Sequence, residues 1–178
     1  MSVFASISSL IIGWLLAVIF VQAVAHKIRA WPRFKASLAA YDILPDSMIS
    51  LAAGILVGWE LITIAGLVVW PAVGLSLAAM LLAVYALAMA INVVRGRTHI
   101  DCGCGDEPAP VSWLLVGRNV LLISFAALAF RQSFDAVVML PVIAIAFAGL
   151  VVAVVLYACA DQLFANHGRY QRLWSESR

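Results

Sequence analysis

The sequence predicts an all-α integral membrane protein, a helical bundle of about five transmembrane helices with a short interfacial helix after the first. The chain of 178 residues is 65% hydrophobic and only 11% charged, and its mean hydropathy is +1.07. Soluble domains carry about 25% charged residues, so this chain has too few charges to cover its surface in water. Its apolar runs are each about 20 residues long, the length that crosses a hydrocarbon core of roughly 30 Å.

The positions of the apolar runs define the spans. No basic residue precedes the first run, so we expect it to remain as a helix rather than to be cleaved as a signal peptide. Trp70-Pro71 separates the second run from the third, because a proline ends the helix before it. A polar tail follows at 161–178 in a single membrane domain, 1–178. The predicted spans are 4–25, 49–69, 72–94, 111–130 and 136–160.

The polar segment 26–48 follows the first run and mixes basic residues with Phe34, Leu38 and Tyr41. This mixture predicts a short amphipathic helix at the headgroups. The basic residues of the chain cluster beside hydrophobic runs, as topology signals do. We therefore predict the lipid bilayer as a partner and no nucleic acid.

The number of spans predicts which segments share a membrane face. With five spans, segment 26–48, the loop 95–110 and the tail lie on one face, together with Cys159 at the end of the last span. The positive-inside rule places this face in the cytoplasm. The basic residues on it are Lys27, Arg29, Arg33, Lys35, Arg95, Arg97, Arg169, Arg172 and Arg178, against Arg131 on the other.

The loop 95–110 contains the pair Cys102-Gly103-Cys104. A disulfide within Cys-x-Cys closes a very small ring with unfavourable geometry, and strained disulfides act as oxidants. The intervening glycine tolerates the backbone angles of such a ring. His99 is a candidate for stabilising a thiolate, and Cys159 is a candidate resolving thiol. Cys102, Cys104 and His99 also suit a soft metal ion, which we rank below redox chemistry because no second ligand pair stands at a fitting spacing.

Two ionisable residues lie within predicted spans. Glu60 falls near the bilayer midplane, where a carboxylate is costly and either paired or functional. Arg118 lies in the fourth span at a depth that differs from Glu60 by roughly 6 Å. One interpretation is an interhelical ion pair; the other is a proton- or quinone-binding carboxylate coupled to the thiols, with Glu60 and Arg118 as the cofactor-binding residues. No cofactor signature is present, and a membrane quinone is the candidate re-oxidant.

Several local motifs resemble those of one family. The block Asp101-Cys102-Gly103-Cys104-Gly105, with Arg118-Asn119 downstream, carries most of the specificity. Other matching features are His26-Lys27, Phe34, Tyr41-Asp42-Ile43-Leu44-Pro45, Trp59-Glu60-Leu61, Asn92-Val93-Val94-Arg95-Gly96-Arg97, His99-Ile100 and Val111-Ser112-Trp113. The chain resembles the MauE family of methylamine utilisation membrane proteins, relatives of the DoxX-like proteins.

The resemblance implies a maturation role in a bacterial inner membrane. MauE-like proteins are associated with processing, transport or disulfide formation of the methylamine dehydrogenase small subunit, together with a thioredoxin-like partner, MauD. Such a client is periplasmic, so the resemblance implies a periplasmic site, whereas the positive-inside rule implies a cytoplasmic one. The two expectations conflict.

We therefore predict a membrane thiol–disulfide exchange protein in which Cys102 and Cys104 cycle between dithiol and disulfide. Two alternatives stay open. One is a membrane carrier of a sulfur compound or soft metal, which would use Glu60, Arg118 and the thiols. The other is a non-catalytic assembly chaperone.

Overall fold

The computed structural model describes residues 3–98, 100, 110–132 and 140–176. Its regular structure within these residues consists of six α-helices, five of which, all but α2, are long and apolar enough to cross a membrane. The helices are α1 Val3–Arg29, α2 Trp31–Ala40, α3 Asp46–Val69, α4 Pro71–Val94, α5 Trp113–Gln132 and α6 Leu140–Glu176. The predicted all-α class, with five spans and a short helix after the first, is confirmed.

Two helices extend beyond the predicted spans. α1 continues past residue 25 to Arg29 and has basic side chains in its last turn, where positive charge interacts favourably with the helix dipole. α6 continues past residue 160 to Glu176. The segment 161–176 contains no proline and a single glycine, Gly168, so no residue in it is a strong helix breaker. The predicted polar tail is therefore helical as far as Glu176.

The α3–α4 hairpin has a single non-helical residue, Trp70, at its turn. The Trp70 N–H donates to the Gly66 carbonyl over 2.8 Å, and the Gly74 N–H donates to the Trp70 carbonyl over 2.9 Å. A methyl group on Gly74 would lie 2.1 Å from the backbone nitrogen of Leu67. The two helices therefore approach at backbone contact, which only glycine permits at this position.

The bundle is built around α1, which packs against α3, α5 and α6, while α4 packs against α3 and α5. The short helix α2 has a proline in its first turn, a favoured position for proline, and it packs mainly on α3. The central core contains Leu16, Phe20, Leu67, Leu75, Leu81, Leu122 and Ala126. Large apolar side chains also cover the outside of the bundle, as expected for a surface that faces lipid.

Polar contacts identify one end of the bundle. An Arg97 nitrogen lies 2.7 Å from an Asp42 carboxylate oxygen, and Arg95 donates to the Asp42 carbonyl over 3.2 Å. Arg118, near the start of α5, pairs with Asp161 of α6. The prediction that segment 26–48, the start of loop 95–110 and the α6 extension share one end is confirmed. The side of the membrane on which this end lies stays a prediction.

Candidate functional site

The cysteine pair and His99 lie outside the described residues, but the residues that flank them are described. Ile100 and Val111 are 5% and 1% exposed, and the Val111 N–H donates to the Ile100 carbonyl over 3.0 Å. Both pack in one apolar cluster with Tyr41, Met89 and Leu115. The chain therefore enters and leaves the cysteine segment at one buried point between the α2–α3 corner, α4 and α5.

The approach to this point is also fixed by backbone contacts. The Arg97 N–H donates to the carbonyl of Asn92, the last buried polar residue of α4, over 2.9 Å. Gly96 has φ of 74°, a left-handed angle that glycine adopts readily. The ion pair of Arg97 with Asp42 then ties this turn to the end of α2. Several interactions thus hold the chain that leads into the cysteine segment.

A second polar site lies inside the bundle, where Lys27 of α1, Glu60 of α3 and Tyr85 of α4 meet. Lys27 is 2% exposed and Glu60 is 0% exposed. The Lys27 ammonium pairs with Glu60 Oε1 and donates to the Tyr85 hydroxyl over 2.9 Å. That hydroxyl donates to the same Glu60 oxygen over 2.8 Å. We call these three residues the Lys27 triad.

The helices explain how these side chains meet. Lys27 lies near the C-terminus of α1, and helical side chains tilt toward the N-terminus of their helix. Its long side chain therefore runs back into the bundle rather than out to the headgroups. Tyr85 lies nine residues before the end of α4, roughly 14 Å below that end at 1.5 Å per residue. The triad is therefore within the span, not at its rim.

Aromatic rings complete the surroundings of the ammonium. Lys27 Nζ lies 4.7 Å from the Tyr85 ring centroid and 5.2 Å from that of Phe34 in α2. Ring faces attract cations at these distances, so they stabilise an ammonium on a side chain that is only 2% exposed. Glu60 Oε2 is buried, and none of the described residues donates a hydrogen bond to it. The triad thus joins α1, α3 and α4, and the Phe34 ring adds a contact from α2.

The predicted pairing of Glu60 with Arg118 is wrong. Glu60 pairs with Lys27, whereas Arg118 pairs with Asp161 of α6. Helical rise gives the depth of a residue but not the direction of its side chain around the helix, and depth alone suggested the pair. The sequence offered another signal, a lysine one residue after His26 at the end of an apolar run. From that position a long side chain reaches back into the bundle.

Cys159 lies on α6, exposed and with a free thiol. It precedes Asp161 by two residues, and Asp161 pairs with Arg118 near the start of α5. Cys159 therefore lies at the same end of the bundle as Ile100 and Val111, as the number of spans predicts. Its role as a resolving thiol stays a prediction, and so do the roles assigned to His99, Cys102 and Cys104.

Comparison of the sequence with known proteins identifies relatives of this chain. A family profile described as Methylamine utilisation protein MauE matches residues 5–132, which include the Lys27 triad and Ile100 but not α6. The methylamine utilization protein MauE of Paracoccus denitrificans is 45% identical over 115 residues, 62% of each chain. That of Paracoccus versutus is 38% identical over 115 residues, again 62% of each chain.

The match to Methylophilus methylotrophus MauE is shorter, 35% identical over 98 residues, or 54% of this chain and 52% of that protein. The chain thus spans less than two thirds of the length of these relatives. No solved structure matches it.

Proposed function

The chain belongs to the MauE family, and from that premise we propose that it is a membrane thiol–disulfide exchange protein. Its membership confirms the resemblance predicted from the sequence motifs. In the proposed reaction Cys102 and Cys104 cycle between dithiol and disulfide and pass oxidising equivalents to a thioredoxin-like partner.

The buried closure on either side of the cysteine pair is the observation that carries this proposal. Ile100 and Val111 are joined by a backbone hydrogen bond and seated in an apolar cluster. Cys102 follows Ile100 by two residues, so covalent length alone keeps the two Cα atoms within about 7 Å. The described residues on either side of the cysteine segment are thus held on the bundle, which supports a role for that segment in exchange with a second protein.

The proposed exchange follows ordinary thiol–disulfide chemistry. A thiolate of the partner attacks one sulfur of the Cys102–Cys104 disulfide, forming a mixed disulfide and releasing the other cysteine as a thiolate. The partner's second thiol then displaces the remaining cysteine and closes the partner's own disulfide. Two electrons and two protons pass from the partner to the pair. The small Cys-x-Cys ring favours this direction because strained disulfides are more easily reduced.

Two further residues have proposed roles in this cycle. His99 precedes Cys102 by three residues, and its imidazolium would stabilise a nearby thiolate. Cys159, exposed at the same end of the bundle, would resolve mixed disulfides that involve the pair. Since α6 lies beyond the residues that the family profile matches, a role for Cys159 would belong to this chain rather than to the profile.

The names of the relatives suggest the process in which the exchange operates. The curated relatives are methylamine utilization proteins, so we place the chain in methylamine utilisation at a bacterial inner membrane. The proposed client is the methylamine dehydrogenase small subunit, and the proposed partner is a thioredoxin-like protein of the MauD type. A periplasmic client requires the pair to face the periplasm, against the positive-inside rule.

The experiment that tests the proposal measures disulfide formation in the client. The natural protein is replaced in a methylamine-grown host by the double variant Cys102→Ser, Cys104→Ser, and free thiols of the small subunit are counted by alkylation and gel shift. We expect the amount of small subunit that carries its disulfides to fall at least tenfold, in cells whose membranes contain as much of the variant as of the natural protein. A host expressing Gly58→Ala, a change in open space on α3, is the matched control.

Normal disulfide formation in the client with the double variant would contradict the proposed thiol exchange. Copurification of variant and client in that case would support an assembly chaperone. Uptake of a sulfur compound that depends on Glu60 but not on the cysteines would support a carrier.

A further inference from the structure

We infer that the cleft between α1 and α6 binds the head of a neutral, hydrogen-bonding ring compound of the membrane, which is the chemistry of a quinone. The cleft has a volume of about 170 Å³. Leu15, Val18 and Val154 line its apolar part, and Gln22, Asp161 and Gln162 line its polar part.

The size of the cleft fits one ring. An apolar protein cavity of about 150 Å³ holds one benzene molecule, so 170 Å³ admits a single substituted six-membered ring. The cleft lies between two spanning helices, so an isoprenoid or alkyl tail can continue into lipid.

The lining of the cleft changes with depth. Gln22 lies seven residues after Leu15 on α1, and Asp161 lies seven residues after Val154 on α6, about 10 Å along each helix. Both polar side chains lie toward the end of the bundle that carries Ile100 and Val111. A ligand with a polar head at this end and an apolar body below it matches both helices.

The charge of the cleft favours a neutral head over a phosphate. Its acidic residue, Asp161, is paired with Arg118, and none of the described residues that line the cleft is basic. Phosphate recognition relies on arginine or lysine. Gln22 and Gln162 each offer one carbonyl acceptor and an amide donor, which suit both the carbonyls of a quinone and the hydroxyls of a quinol.

This site deepens the proposed function, on which its redox role rests. When the Cys102 and Cys104 thiols form their disulfide, they release two electrons and two protons. A quinone accepts these two electrons and two protons and becomes a quinol. The site also revises the predicted cofactor-binding residues. Neither Glu60 nor Arg118 lines the cleft; Arg118 contributes only by neutralising Asp161, which does line it.

Photolabelling of the full chain in phospholipid nanodiscs tests the binding. The probe is an azido-benzoquinone with a short alkyl tail, and labelled peptides are mapped by mass spectrometry. We expect labels near Gln22 and within 154–162. Ala158→Phe, which fills the cleft, should lower labelling at least tenfold, whereas Ala148→Phe, an exposed alanine of α6 outside the cleft, should not. Gln22→Leu or Gln162→Leu should each weaken binding about fivefold, the value of one hydrogen bond.

Competition identifies the ligand class. Unlabelled short-chain benzoquinone should suppress labelling, and added phosphatidylglycerol should not. Equal suppression by phosphatidylglycerol would make the cleft a lipid-headgroup site and overturn the inference, as would labels spread evenly over the lipid-facing helices. Cys102→Ser, Cys104→Ser protein should still bind the probe. If this variant matures the client normally yet labels in the cleft, the binding site stands and thiol exchange falls.

Discussion

Removing one member of the Lys27–Glu60 pair should destabilise the bundle far more than removing both. In Lys27→Met, the Glu60 carboxylate stays fully buried and keeps only the Tyr85 hydroxyl as a donor. In Glu60→Gln, the ammonium keeps the Tyr85 hydroxyl and the aromatic faces but loses its counter-charge. Each single change therefore leaves a buried charge without its opposite. The double variant Lys27→Met, Glu60→Gln leaves none.

The magnitudes follow from this geometry. Breaking a buried ion pair by removing one partner costs about 3–5 kcal/mol, whereas replacing both partners with neutral side chains is close to neutral. With both residues at most 2% exposed, we expect each single variant to lose about 3–5 kcal/mol of unfolding free energy and the double variant under about 2 kcal/mol. The coupling energy in a double-mutant cycle should then exceed about 4 kcal/mol.

The assay is reversible unfolding in mixed micelles, followed by circular dichroism as the denaturing detergent fraction rises. Lys35→Met on α2 and Asp46→Asn at the start of α3 are matched controls, because Lys35 is half-buried, Asp46 is exposed, and neither is part of the triad. Both should change stability by under about 1 kcal/mol, as is usual for surface charges. A double variant whose loss of stability equals the sum of the two single losses would refute the reasoning.

The remaining predictions concern the hairpin and the base of the cysteine segment. Gly74→Ala should destabilise the bundle by about 1–3 kcal/mol or more, because its methyl group would overlap the backbone of Leu67. Gly58→Ala places its methyl group in open space and should stabilise α3 by roughly 0.5–1 kcal/mol. Equal detergent-unfolding midpoints for the two variants would contradict this. Ile100→Ala should lose about 2–4 kcal/mol locally and speed maleimide labelling of the adjacent cysteines several-fold. Ile43→Ala, which truncates an isoleucine that is 43% exposed, should leave labelling unchanged, and identical labelling rates would remove the anchoring role of Ile100.

The fold was predictable because hydrophobic length is set by the bilayer. Runs of about 20 apolar residues between polar segments determine the number of spans, and Trp70-Pro71 marks the α3–α4 turn. The end of α6 was not predictable in this way. Its last turns run from Asp161 to Glu176 in polar sequence, where hydropathy carries no signal and only the absence of helix breakers favours continuation.

The interior of the site was predictable only in part. Glu60 was identified because a carboxylate at mid-membrane needs a partner. Its partner was missed because the choice depends on how each helix is rotated about its axis, and the weak amphipathicity of spanning helices leaves that rotation undetermined. Tyr85 was missed because one hydroxyl in an apolar run reads as ordinary core. Arg118 was assigned by depth and pairs instead with Asp161 beyond the predicted span.

The most direct test of the central claim is the thiol state of Cys102 and Cys104 in the cell. Cells expressing Cys159→Ser protein are quenched in acid, and free thiols are counted with a maleimide that adds mass. We predict that a fraction of the molecules carries a disulfide that dithiothreitol removes, and that every molecule carries it when the thioredoxin-like partner is deleted. Two reduced thiols in every molecule, with and without the partner, would contradict it.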